Sequence, residues 1–187
     1  MPTKSIAASQ MSDQYAKDLM RASARDSAVM TVEANRVKDR AKCTIFSSAA
    51  LAIGTGAVSA VKIITGFVAN IAGVLVSRAA AGTEFTLSGT VVNATFNVFA
   101  LFMDSAGAQT SAMGTAGATL ALVVFPTIPV DKACVGFIIV NPTGAGNFVG
   151  GTTGLADGTV IPNTVYVNTV GFFNPKSLAV TLEVSES

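Results

Sequence analysis

The chain has 187 residues, half of them hydrophobic and 12% charged, with a formal net charge of +1 and no histidine. A near-neutral balance gives no polyelectrolyte grip on nucleic acid. The missing imidazole removes Ser-His-Asp and Cys-His catalysis, together with every metal site that needs a histidine.

Charge is divided very unevenly along the chain. Thirteen of the 23 charged residues fall in the first 42 positions, and the 145 residues from Cys43 to Ser187 share the other ten. Soluble domains carry about 25% charged residues, so the second segment keeps little charge to face water and calls for cover from other subunits. Residues 1–42 are read as an arm for docking, and 43–187 as the body.

Residues 1–10 form a polar lead. From Met11 to Lys42 there is no Gly or Pro, while Ala, Arg, Lys, Asp and Met are common, which predicts helix. Tyr15, Leu19 and Ala22 fall at i, i+4 and i+7, and Met30, Ala34, Val37 and Ala41 continue at helical spacing. These are narrow apolar stripes that need a partner, so Tyr15, Leu19, Met30 and Val37 are the candidate partner-binding residues. The Ala-rich stretch Ala41 to Ala57 extends the helix as far as Gly54 on one reading.

Beyond Cys43 the pattern turns to β, with Gly and Asn punctuating short runs of Val, Ile, Thr and Phe. Strands are predicted at Val58–Ile64, Phe67–Asn70, Gly73–Ser77, Glu84–Leu87, Ala94–Met103, Ala118–Phe125, Val135–Val140, Thr164–Val170 and Leu178–Val184. The last alternates cleanly, with Leu178, Val180, Leu182 and Val184 on one face. Phe125-Pro-Thr-Ile-Pro129 is an extended connector, because proline restricts itself and the residue before it. The fold class is therefore mainly β: a β-sandwich or jelly-roll-like domain carrying an N-terminal α-helical arm.

No motif in the body carries chemistry. Cys43 and Cys134 are too few for a disulfide framework and suit buried apolar positions. Asp104 and Asp131 flank strands, as turn residues do. Gly54-Thr-Gly56-Ala-Val-Ser59 ends wrongly for a dinucleotide loop, and Gly144 to Gly151 lacks the Lys-Ser/Thr of a phosphate loop; hairpin turns account for both. The sequon Asn93-Ala-Thr95 lies in an apolar predicted strand and carries no functional weight. No cofactor and no metal are implied. Mean hydropathy is +0.56, and uncharged runs such as Cys43–Val61 are long enough to span a bilayer. Their Gly, Ser, Thr, Asn and Pro content speaks against insertion, and the polar first 42 residues are unlike a secretory signal.

One stretch reads Val135-Gly-Phe-Ile-Ile-Val-Asn141, then Phe148-Val-Gly-Gly-Thr-Thr153-Gly-Leu155, then Val165-Tyr-Val-Asn-Thr-Val-Gly171. With Phe99-Ala-Leu-Phe-Met-Asp104 and Ala118–Pro129 before it, this resembles a recurring module of tailed-bacteriophage virion structural proteins over about residues 58 to 175. The resemblance implies a non-enzymatic head-fibre, decoration or cement protein, located in the virion and assembled in the host cytoplasm. The favoured expectation is a homotrimeric capsid-decorating protein, its arm bound to the major capsid protein, with no direct nucleic-acid or membrane contact. A tail, neck or fibre-base component is the alternative, and a small membrane protein the remote one.

Overall fold

The computed structural model describes residues 20–32, 42–55, 58–80, 84–171 and 173. The chain divides into two units, Met1–Arg40 and Ala41–Ser187. Within the first, residues 20–32 form one α-helix, α1, and every residue of it is exposed. The Thr31 hydroxyl donates to the Ser27 carbonyl one turn back, at 2.8 Å. The rest of the expected 11–42 helix lies outside the described residues, as does the predicted strand Leu178–Val184.

The second unit is built from short strands: β1 (Cys43–Ile45), β2 (Leu51–Ile53), β3 (Ala60–Ile63), β4 (Phe67–Ile71), β5 (Val74–Arg78), β6 (Glu84–Thr86), β7 (Thr90–Val91), β8 (Asn97–Asp104), β9 (Gln109–Met113), β10 (Lys132–Val140), β11 (Phe148–Val149) and β12 (Thr164–Asn168). They form sheets of order β1-β4-β5, β12-β10-β8-β9 and β2-β3-β6, with β11-β7 as a separate pair. Every pairing is antiparallel.

One apolar core receives side chains from all of these sheets, including Ile45, Phe67, Ile71, Val61, Ile63, Phe85, Val91, Phe99, Leu101, Ile138 and Phe148. Strand β8 is buried on both faces. Phe99, Leu101 and Met103 enter the main core, while Ala100 and Phe102 point the other way into a second cluster with Cys134. Such two-sided burial explains why its sequence runs apolar without alternation. Strand β10 changes register between Cys134 and Gly136. That bulge lets Ala133 and Val135 share the main core with Ile138 and Val140 despite their opposite parity.

Several sequence expectations are corrected. Residues 43–53 are not helical: they form β1 and β2, with Ala49 fully buried and Ala50 at φ 49°. Ala118–Phe125 is not a strand but contains a 3-10 turn, Leu120–Leu122. Gly117 has no room for a Cβ beside the Thr119 and Leu122 backbone, so the chain folds tightly there. Asn93 lies in a turn before β8 and not within a strand; its amide Nδ2 donates to the Gly144 carbonyl at 3.1 Å. The Gly54 loop does join two antiparallel neighbours, β2 and β3, as a hairpin does. The Gly144 loop instead pairs with a distant turn, Gly144 N–H and Ala145 N–H donating to the Val160 and Thr159 carbonyls. Gly144 is required there, because a Cβ has no room against Thr159.

Candidate docking surface

The β4–β5 hairpin closes through Ala72 (φ 53°) and Gly73 (φ 82°), with Ile71 opposite Val74. Two left-handed residues in a two-residue loop make a type I′ turn, whose twist matches the strands. The parity of the sheet follows from this. Phe67, Ala69 and Ile71 of β4 and Val76 of β5 face the core, so Val68, Leu75 and Ser77 face outward. Phe46 follows β1, and its N–H donates to the Val68 carbonyl at 2.8 Å. Phe46, Val68 and Leu75 thus lie on the outer face of a sheet whose inner face is already filled. Leu75 is 72% exposed and Phe46 55%.

A second apolar surface stands on the other side of β8 and β10. The chain leaves β9 at Gly114, whose N–H donates to the Val98 carbonyl at 2.8 Å. It then makes isolated bridges between Phe96 and Gly117 and between Thr115 and Val124. The 3-10 turn between them exposes Leu120 and Leu122, and Val124 in the second bridge is exposed as well. Phe125 anchors the return. It meets Phe137 edge-on at 5.3 Å and Phe173 at 5.3 Å, and Phe137 stacks on Phe173 at 5.6 Å. An excursion with an apolar tip is therefore clamped to the outer face of the four-stranded sheet by an aromatic cluster.

Among the described residues, most charged side chains of the body stand in loops or at strand ends, Lys62 within β3 being the exception. Asp104 accepts the Ala108 N–H at 2.8 Å in the β8–β9 turn. Lys132 Nζ donates to the Thr110 hydroxyl at 3.0 Å. Asp157 is held below the usual carboxylate range by the hydroxyl and then the amide of Thr159. Among the described residues no group of three or more His, Cys, Asp or Glu side chains is placed to hold a metal ion. Among them, too, no helix is long and apolar enough to cross a membrane.

Both cysteines are free thiols in different surroundings. Cys134 lies in the second core, and burial pushes its thiol up from 9.0 to about 12. Cys43 is half-buried at the start of β1, near the Val130 carbonyl. Ellman's reagent is therefore expected to label Cys43 in the native protein while Cys134 reacts only on unfolding. The unfolded thiol ionises from pH 9.0, whereas the native one stays neutral up to about 12. Stability is thus unaffected by Cys134 below pH 9.0 and falls as pH rises through that window. Equal labelling rates for the two thiols at pH 8 contradict the burial of Cys134.

Of the candidate partner-binding residues, Met30 is on α1 and 72% exposed; Tyr15, Leu19 and Val37 lie outside the described residues. The outward apolar residues Phe46, Leu75, Leu120 and Leu122 were not among the sequence candidates. Comparison with protein-family models, with curated proteins and with solved structures finds no match for this chain.

Proposed function

We propose that the chain is a non-enzymatic structural subunit of a virion, a capsid-decorating protein whose β body covers the head shell and whose arm, residues 1–42, binds the major capsid protein. One observation carries most of the weight. Between Cys43 and Phe173 the sequence has seven charged residues, whereas fourteen large apolar side chains among the described residues of that span are exposed. Scattered apolar residues are ordinary on a surface. Here they outnumber the charges two to one, and six of them, Phe46, Val68, Leu75, Leu120, Leu122 and Val124, fall on the outer sheet face and the clamped tip, as on surfaces that meet other proteins. The virion setting comes from the sequence resemblance described above.

Binding is the whole of the proposed mechanism. Each attached copy buries apolar area against the shell and against its neighbours, homotrimers being the proposed unit. Many weak attachments on one particle then act together. The test is co-sedimentation of the purified chain with heads that lack it. Saturable uptake at a fixed ratio to the coat subunit is expected, with a raised melting temperature of the decorated head. Heads that sediment bare at micromolar protein exclude this function.

A further inference from the structure

Among the described residues, strand β5 is the open edge of the sheet β1-β4-β5. The other edge, β1, is engaged: Ile45 and Gly171 exchange backbone hydrogen bonds. Edge strands of natural proteins are normally guarded by lysine, proline, a bulge or extreme shortness. Val74-Leu-Val-Ser-Arg78 has no proline and no lysine, and its register with β4 is unbroken over all five residues. Its one charge is drawn aside. Arg78 Nη2 reaches toward the Ser105 carbonyl at 3.5 Å, and its guanidinium lies over Gly107. The remaining edge is uncharged.

The parity of the hairpin says which backbone groups this edge presents. In a two-residue hairpin the residues flanking the loop form a hydrogen-bonded pair, so Val74, Val76 and Arg78 direct their N–H and C=O groups at β4. The Phe46 N–H on the Val68 carbonyl agrees, because Val68 then points at β1. Leu75 and Ser77 therefore point their N–H and C=O groups away from the sheet, and among the described residues nothing pairs with them.

We infer that two copies of the chain pair antiparallel through β5, with Leu75 of each opposite Ser77 of the other about a twofold axis at Val76. The edge is self-complementary in this register. Each outward N–H meets an outward C=O, a large outward side chain meets a small one, and no like charges oppose. The contact doubles the three-stranded sheet and makes the two outer faces, each bearing Phe46, Val68 and Leu75, continuous. A twofold contact of this kind is closed, and it is separate from any threefold arrangement. A contact through one five-residue edge is small beside the roughly 800 Å² per partner of a standard stable interface. It is weak in free solution and strong once copies are held side by side. The inference rests on the strand edge alone and does not require head binding, so the two fail independently.

Disulfide trapping tests it in the full chain carrying Cys43→Ser. Hydrogen-bonded antiparallel neighbours have Cα atoms about 5.5 Å apart, within the roughly 4.4–6.8 Å that a disulfide spans. Leu75→Cys and Ser77→Cys are made as separate proteins; both sites are exposed, so both fold. In a glutathione redox buffer at about 0.5 mM protein, mixing the two is expected to give at least fivefold more disulfide-linked dimer than either alone. Adding Leu75→Cys/Ser77→Cys in one chain gives the same product without mixing. No dimer in the mixture, or equal dimer in all three samples, overturns the pairing.

Discussion

A chain lacking residues 1–42 is expected to fold and to lose head binding at least about 100-fold, the scale on which simultaneous attachments reinforce one another. The expectation of folding comes from the cores. Among the described residues, each side chain in the main and second apolar clusters belongs to residues 43–173. The expectation of lost binding comes from the division of charge: the arm has most of the ionic groups, and Met30 stands exposed on α1. Far-UV circular dichroism and calorimetry report the fold, and co-sedimentation reports the binding. Truncated protein that binds like the full chain assigns the docking to the outer faces of the body and removes the arm from the mechanism.

Replacing Phe99 by Ala is expected to cost about 3–5 kcal/mol, with about 0.5–1.5 kcal/mol more for the lost aromatic pair. Phe99 has no exposed surface, meets Phe148 edge-on at 5.7 Å, and sits opposite Ile138 on one side and Met113 on the other. It therefore joins the four-stranded sheet to the β7–β11 pair through the middle of the core. Domains of this size are stable by about 5–15 kcal/mol, so the variant is expected near the edge of folding, with a large drop in urea midpoint. Phe46→Ala serves as the contrast. Its ring is 55% exposed, and surface changes stay within about 0.5 kcal/mol. Comparable losses at the two positions contradict the assignment of Phe46 to the outer face.

These two phenylalanines show what the sequence made legible. Runs of Val, Ile and Phe between Gly and Asn were enough to find β3, β4, β5, β8 and β10, because buried strands select those residue types whichever way each side chain points. The same evenness hid the candidate surface. In Val74-Leu-Val or Val98-Phe-Ala-Leu-Phe both parities are apolar, so nothing in the pattern tells the outward residues from the inward ones. Only the type I′ turn at Ala72-Gly73, with its fixed register, decides that Leu75 faces out. Strand β9 was missed for the opposite reason. Gln109-Thr-Ser-Ala-Met113 is polar enough to read as loop, and it is held by pairing with β8 and by the Ser111 hydroxyl on the Thr86 carbonyl at 2.7 Å. The Ala118–Phe125 expectation failed because Ala-Thr-Leu-Ala-Leu alternates like a strand, while close packing at Gly117 turns the chain before it can extend.

The exchange of hydrogen bonds between Ile45 and Gly171 also sets how the body responds to pulling. The strands there are antiparallel, so the chain enters the β body through Cys43–Ile45 and leaves it past Gly171 on the same side. Tension applied between Cys43 and Phe173 loads that bridge together with the packing of Phe173 on Phe125 and Phe137, in a geometry that opens hydrogen bonds one at a time, like a zip. Ile45 is also a core residue paired with Ala69 of β4, so opening this corner draws on the packing of β1 and not on a surface contact alone.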